Sequence, residues 1–177
     1  MNRLKRGFTQ IYTGNGKGKT TAAIGQAVRA AGSGLRSYIL MLMKEFPYNE
    51  VSALSVLKDF IVIEQVGKDD YVYRKELPPK EEIDKAKHAL DIAKNKMISG
   101  DFDIIILDEV LVATYFGLIT VSEILPFINE KPFNVELILT GRYCPKELIE
   151  KADLVTEMKE VKHYYEKGIL ARRGIES

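Results

Sequence analysis

The chain has no tryptophan, one cysteine, two histidines, no excess charge of either sign and no long apolar run. Each scarcity removes a class of protein. A lone Cys144 excludes an intrachain disulfide and any multi-cysteine zinc site, and it fits a reducing cytosol, so a cytoplasmic location is expected. Two separated histidines, His88 and His163, give a histidine-based metal centre nothing to build on. His88, beside Lys87 on the polar side of a helical pattern, reads as solvated. No segment approaches the roughly 18 apolar residues that a membrane helix needs. The basic start Asn2-Arg3-Leu4-Lys5-Arg6 leads into no apolar core, so a signal peptide is not expected. Twenty-six basic residues against 25 acidic ones leave a net charge of +1. That balance argues against a nucleic-acid stripe or a membrane-surface patch, and any anionic ligand must be held by a local site.

What remains is the profile of a soluble globular protein. Over 177 residues, 46% are hydrophobic and 29% charged, enough for one buried core and too little chain for two well-formed ones. A single domain over 1–177 is expected. Apolar strand-like runs alternate with helical patterns, without repeats or low-complexity linkers. That order predicts an α/β fold, a mostly parallel sheet with helices on both faces. The predicted strands are Phe8–Tyr12, Ser37–Met43, Phe60–Gln65, Phe102–Leu107, Val135–Thr140 and Leu154–Val161. A first helix is predicted from Lys19 to Ala31, stopped by Gly32 and Gly34. A second follows Pro78-Pro79, where Ile83, Ala86, Leu90, Ala93 and Met97 recur at spacings of three and four. In open α/β sheets ligands bind beyond the carboxyl ends of the strands. Two motifs emerge there.

The first is Thr13-Gly14-Asn15-Gly16-Lys17-Gly18-Lys19-Thr20-Thr21, between a predicted strand and the first helix. Glycines let a backbone curl with its N–H groups inward, and a helix opening at Lys19 adds its positive end. Lys19 supplies a cation to phosphates, and the Thr20 hydroxyl can join the coordination of Mg²⁺. The pattern is that of a P-loop NTPase, shorter by one residue between its first glycine and the Gly-Lys-Thr, with Thr13 in the place of the first glycine. The second motif is Leu107-Asp108-Glu109, closing the most apolar strand. It resembles a Walker B site, in which Asp108 or Glu109 holds Mg²⁺ directly or through water. Its alternative is an acidic helix N-terminus. Thr140-Gly141-Arg142 follows another apolar strand at the same edge, and Arg142 is either a phosphate ligand or a surface arginine. Arg29, late in the first helix, and Lys44, after the second strand, are weaker candidates of the same kind.

Together these segments resemble the ATP:corrinoid adenosyltransferases. The resemblance is carried by Tyr12 through Ala23, by Arg29-Ala30-Ala31-Gly32, by Leu107-Asp108-Glu109, by Thr140-Gly141-Arg142, by Val161-Lys162-His163 and by Arg173-Gly174-Ile175. They run in order over almost the whole chain, and the shortened loop is a feature of that family. The resemblance implies transfer, not hydrolysis: Co(I) of a reduced corrinoid attacks the 5′ carbon of ATP and releases triphosphate. Co(I) is already a strong nucleophile, so no protein base is required. Lys19, Thr20 and Glu109 then stand as catalytic residues. Thr20, Asp108 and Glu109 hold Mg²⁺ or Mn²⁺, and residues 13–21 with Arg29 and Arg142 bind ATP. The family excludes the corrinoid's lower axial ligand with a Phe and a Trp two residues apart after a glycine. Here Gly67 is followed by Tyr71 and Tyr73, which keep the two-residue spacing. A homodimer and a separate reductase for the cobalt are also implied. The rival readings are a P-loop ATPase or nucleoside kinase acting on another acceptor, and a non-catalytic nucleotide switch.

Overall fold

A computed structural model describes residues 3–45, 48–68 and 76–175. Six parallel strands form one sheet in the order β3-β2-β4-β5-β1-β6. They are β1 (Thr9–Thr13), β2 (Ser37–Leu42), β3 (Ile61–Val66), β4 (Ile104–Asp108), β5 (Glu136–Thr140) and β6 (Leu154–Glu157). All the predicted strands form, mostly within a residue or two of their expected ends. The exception is the last, which stops at Glu157 instead of Val161. There the N–H of Met158 turns to the carbonyl of Thr13, at 2.8 Å, and the chain leaves the sheet.

Strands β2 and β4, neighbours inside the sheet, have no exposed face. All six residues of β2 and all five of β4 are buried, as a strand covered on both sides requires. On one face α1 (Lys19–Ala31) and α2 (Asn49–Leu54) cover Ile39, Met41, Ile106 and Ile138. The buried apolar side chains of α1, Ala23, Ala27 and Ala30, are small and recur at spacings of four and three. On the other face lie α3 (Lys80–Ile98), α4 (Val110–Tyr115), α5 (Val121–Asn129) and α6 (Lys146–Lys151). The α3 helix begins directly after Pro79, with Glu81 and Glu82 in its first turn and Lys96 in its last, matching its dipole. Its Ala86, Leu90, Ala93 and Met97 are buried, as their spacing predicts, and His88 is exposed. The helix α1 ends where expected, although the residue with positive φ is Gly34, not Gly32.

Register decides where the chemistry lies. Tyr12 of β1 pairs with Thr140 of β5, Leu107 of β4 with Leu139 of β5, and Met41 of β2 with Asp108 of β4. Four strands therefore end in one row, and whatever follows each of them meets at a common edge.

Candidate active site at the carboxyl edge of the sheet

Strand β1 runs into the glycine loop, and the loop runs into α1. Gly14 and Gly18 have φ of 99° and 118°, a region that favours glycine. Gly14 and Gly16 are also required by a close approach. A Cβ on either would lie 2.4 or 2.8 Å from the carbonyl oxygen of Met158, in the segment after β6. The amide of Gly16 donates to that same oxygen at 2.7 Å. One loop amide is thus committed to the protein, not open to a ligand. The start of α1 is the reverse case. It has no side-chain cap and no acidic residue in its first turn. Its positive end is left for an anion. By contrast, α5 is closed by a capping box between Thr120 and Glu123.

Asp108, 1% exposed, holds the row of strand ends together. Its Oδ1 accepts from Thr20 Oγ1 at 2.9 Å and from Thr140 Oγ1 at 2.6 Å. Its Oδ2 accepts from Lys44 Nζ at 2.6 Å. The Thr140 hydroxyl in turn accepts the N–H of Glu109 at 3.0 Å. The hydroxyl proton of Thr20 is spent on Asp108, which leaves its oxygen lone pairs for a cation. Asp108 therefore acts through its neighbours, and Glu109 is the carboxylate that lines the open space.

That space is a cleft of about 670 Å³, lined by loop residues 15–19, by Thr20, Thr21 and Ile24 of α1, and by Lys44, Tyr48, Glu109 and Arg142. Asn49, Glu50 and Ala53 of α2, and His163, Gly174 and Ile175 of the C-terminal segment, complete it. Lys19 is 7% exposed and donates to the Gly16 carbonyl at 2.8 Å. Burial lowers its pKa, and Glu109 opposes that shift. Burial also raises the pKa of Glu109, assisted by Asp108 and opposed by Lys44, Lys19 and Arg142. For Lys44 burial works against the charge, but Asp108 outweighs it and the pKa rises. Three of the cleft's cationic side chains, Lys44, Lys19 and Arg142, thus act on the recessed Glu109 carboxylate.

Not every expected residue reaches it. Thr13, Gly14 and Asp108 do not line the cleft. Arg29 is exposed in the last turn of α1, about 15 Å along the helix axis from Lys19. The structure does not bring it to the cleft. Tyr71 and Tyr73 lie outside the described residues. Conversely, Lys44 and Tyr48 belong to the site, with the Lys44 ammonium 4.9 Å from the Tyr48 ring centroid. Among the described residues, the non-glycine residues with positive φ are Met43, Glu109 and Tyr143. All lie just past strand ends at this edge, beside or at Lys44, Glu109 and Arg142. Such geometry costs roughly 1–2 kcal/mol per residue and concentrates at functional sites.

A glycine loop feeding an uncapped helix at the edge of a parallel sheet, with its threonine bonded to the acidic end of a strand two positions away, defines a P-loop NTPase-like α/β protein. A family model described as "ATP:corrinoid adenosyltransferase BtuR/CobO/CobP" matches residues 5–177. The corrinoid adenosyltransferase of Escherichia coli (strain K12) is 32% identical over 175 residues, 97% of this chain and 86% of that protein. Corrinoid adenosyltransferase CobA of Salmonella typhimurium (strain LT2) is 31% identical over 175 residues, again 97% and 86%. The Pseudomonas aeruginosa corrinoid adenosyltransferase is 30% identical over 174 residues, 98% of this chain and 85% of that one. This chain belongs to the ATP:corrinoid adenosyltransferase family, whose members are enzymes.

Proposed function

We propose that this chain transfers the 5′-deoxyadenosyl group of ATP to the Co(I) of a reduced corrinoid. The electron pair of Co(I) forms the cobalt–carbon bond as the C5′–O bond breaks, and triphosphate leaves with the bonding electrons. The observation that carries the reading is the uncapped α1 N-terminus with Lys19 recessed beside it. It is a built anion site, in a chain whose family joins ATP to corrinoids. Its amides and the Lys19 ammonium stabilise the charge that grows on the departing triphosphate. In this reading ATP lies reversed in the shortened loop, with its 5′ carbon turned out toward the cobalt.

The donor set suits Mg²⁺ or Mn²⁺. Thr20 and Glu109 offer hard oxygen ligands, and Asp108 fixes the Thr20 hydroxyl. Among the described residues no group of three or more His, Cys, Asp or Glu could hold a metal ion. The ion would complete its shell with phosphate oxygens and water, as Mg²⁺ ordinarily does. When bound, it supplies positive charge to the triphosphate. Arg142 and Lys17 extend the phosphate site along the cleft. Tyr71 and Tyr73 are assigned the exclusion of the corrinoid's lower axial ligand, and a separate reductase delivers Co(I). The same reading makes the protein a cytoplasmic homodimer. Leu154 and Val155 of β6, 44% and 40% exposed, give it apolar edge surface to cover. Among the described residues no helix is long and apolar enough to cross a membrane.

The test is anaerobic incubation with chemically reduced cob(I)alamin, ATP and Mg²⁺, read by the corrinoid spectrum. A light-sensitive adenosylcorrinoid is expected. ATP consumption with no change in the corrinoid would favour an ATPase or kinase instead.

A further inference from the structure

The C-terminal segment is tied to the phosphate loop at several points. Met158 exchanges backbone hydrogen bonds with Thr13 and Gly16, and Lys17 Nζ donates to the carbonyl of Ile175. Between these ties, His163 lines the cleft. Its ring is fixed from one side. Nδ1 accepts the N–H of Tyr165 at 3.0 Å, capping the short 3₁₀ turn Tyr164–Lys167. The ring also packs on Tyr164, with centroids 4.6 Å apart. Tyr164 is covered in turn by the Arg172 guanidinium, 4.8 Å from its centroid. An Nδ1 that accepts a hydrogen bond places the proton of the neutral ring on Nε2. No described residue takes a hydrogen bond from that Nε2–H.

We propose that His163 is a nucleotide-binding residue, whose Nε2–H donates to a phosphate oxygen of the triphosphate held by the loop. A turn that needs only a cap is served by serine, aspartate or asparagine. Imidazole adds a second, outward polar atom on a ring already immobilised, so little conformational entropy is lost when a ligand meets it. The neighbouring groups, Lys17 and the loop, belong to an anion site, and an N–H donor there adds to the bound triphosphate. This rests on the reading that the cleft holds the triphosphate of ATP.

The experiment is calorimetric titration of the full chain with inorganic tripolyphosphate and Mg²⁺, in the wild type and in His163→Ala, His163→Asn and His163→Gln. Asparagine keeps an acceptor for the Tyr165 amide but is too short to donate at the Nε2 position, whereas glutamine places a donor there. His163→Ala and His163→Asn should each weaken tripolyphosphate by about tenfold, and His163→Gln should recover most of the loss. Wild-type affinity in His163→Asn would reduce His163 to a cap and overturn the proposal. Unchanged affinity in all three variants would overturn it as well, with the triphosphate reading intact. If the wild-type protein bound no tripolyphosphate, both would fall.

Discussion

The Lys44 ammonium lies 2.6 Å from Asp108 Oδ2, with the two side chains 10% and 1% exposed. Asp108 is also the acceptor for Thr20 and Thr140, so one ion pair braces the ends of β2, β4 and β5 and the start of α1. Removing one partner of a buried pair strands the other's charge. Lys44→Met should therefore destabilise the fold by about 3–5 kcal/mol in urea denaturation. Lys44→Met combined with Asp108→Asn should cost less than the sum of the single changes, because the second relieves the charge left by the first. Additive losses would show that the two side chains do not act as a pair.

The Glu109 carboxyl lines the cleft. Its pKa is raised by burial and by Asp108, so its ionised form is disfavoured in the fold. A carboxyl with a raised folded pKa contributes stability that is present below the unfolded value and lost as pH rises through the folded one. Glu109→Gln removes that penalty. Its Tm should exceed that of the metal-free wild type at about pH 8, and the gap should narrow toward about pH 4, as Glu109 becomes mostly protonated in both states. The same substitution should weaken Mn²⁺ binding measured with ATP present. Equal Tm values at the higher pH would remove the electrostatic account of this residue.

Binding of Mn²⁺ in the presence of ATP should share this pH dependence. Affinity should fall as Glu109 takes up a proton, with a midpoint above the ordinary carboxylate value because the pKa is raised in the fold. Lys44 is one of the charges that holds that pKa down. Lys44→Met should move the midpoint to higher pH. An unmoved midpoint would place the titrating group elsewhere.

Gly14 and Gly16 make a prediction unlike the usual one for a phosphate loop. The nearest obstacle to a side chain there is the Met158 backbone. Gly16→Ala should therefore loosen the C-terminal segment even without nucleotide, seen as faster amide hydrogen exchange at position 16 and at Met158. Protection equal to the wild type would show that the clash is relieved locally.

The positions of these groups were unequally legible in the sequence. Lys19, Thr20, Asp108 and Glu109 could be found because each sits where an apolar run meets polar residues, and strand order was not needed to bring them to one edge. The order itself could not be read. That β5 lies between β1 and β4, so that the Thr140 hydroxyl joins Asp108 to the Glu109 amide, depends on long-range pairing that no local pattern records. Lys44 showed only as a lysine after a strand, and its burial comes from β2 lying next to β4. Arg29 lies away from the cleft for the opposite reason. It is close to the loop in sequence, but a helix carries it about one and a half ångströms away per residue. His163 showed only within the Val161-Lys162-His163 resemblance and by no periodicity, since the C-terminal segment reaches the cleft by tertiary ties alone.

Among the described residues Lys19 makes one side-chain hydrogen bond, to the Gly16 carbonyl, so its removal should spare the fold and remove the phosphate cation. Lys19→Ala should fold with a Tm close to that of the wild type and lose adenosyl transfer by about a hundredfold or more. Transfer at the wild-type rate would take Lys19 out of the reaction.

Whether triphosphate leaves in one piece is the most direct test of attack at the 5′ carbon. A single turnover of the wild-type protein with cob(I)alamin and limiting ATP, quenched and examined by ³¹P NMR, answers it. Inorganic triphosphate equal in amount to the adenosylcorrinoid formed is the expected result. ADP with phosphate, or AMP with pyrophosphate, as the primary products would place the bond cleavage elsewhere in the nucleotide and contradict the account.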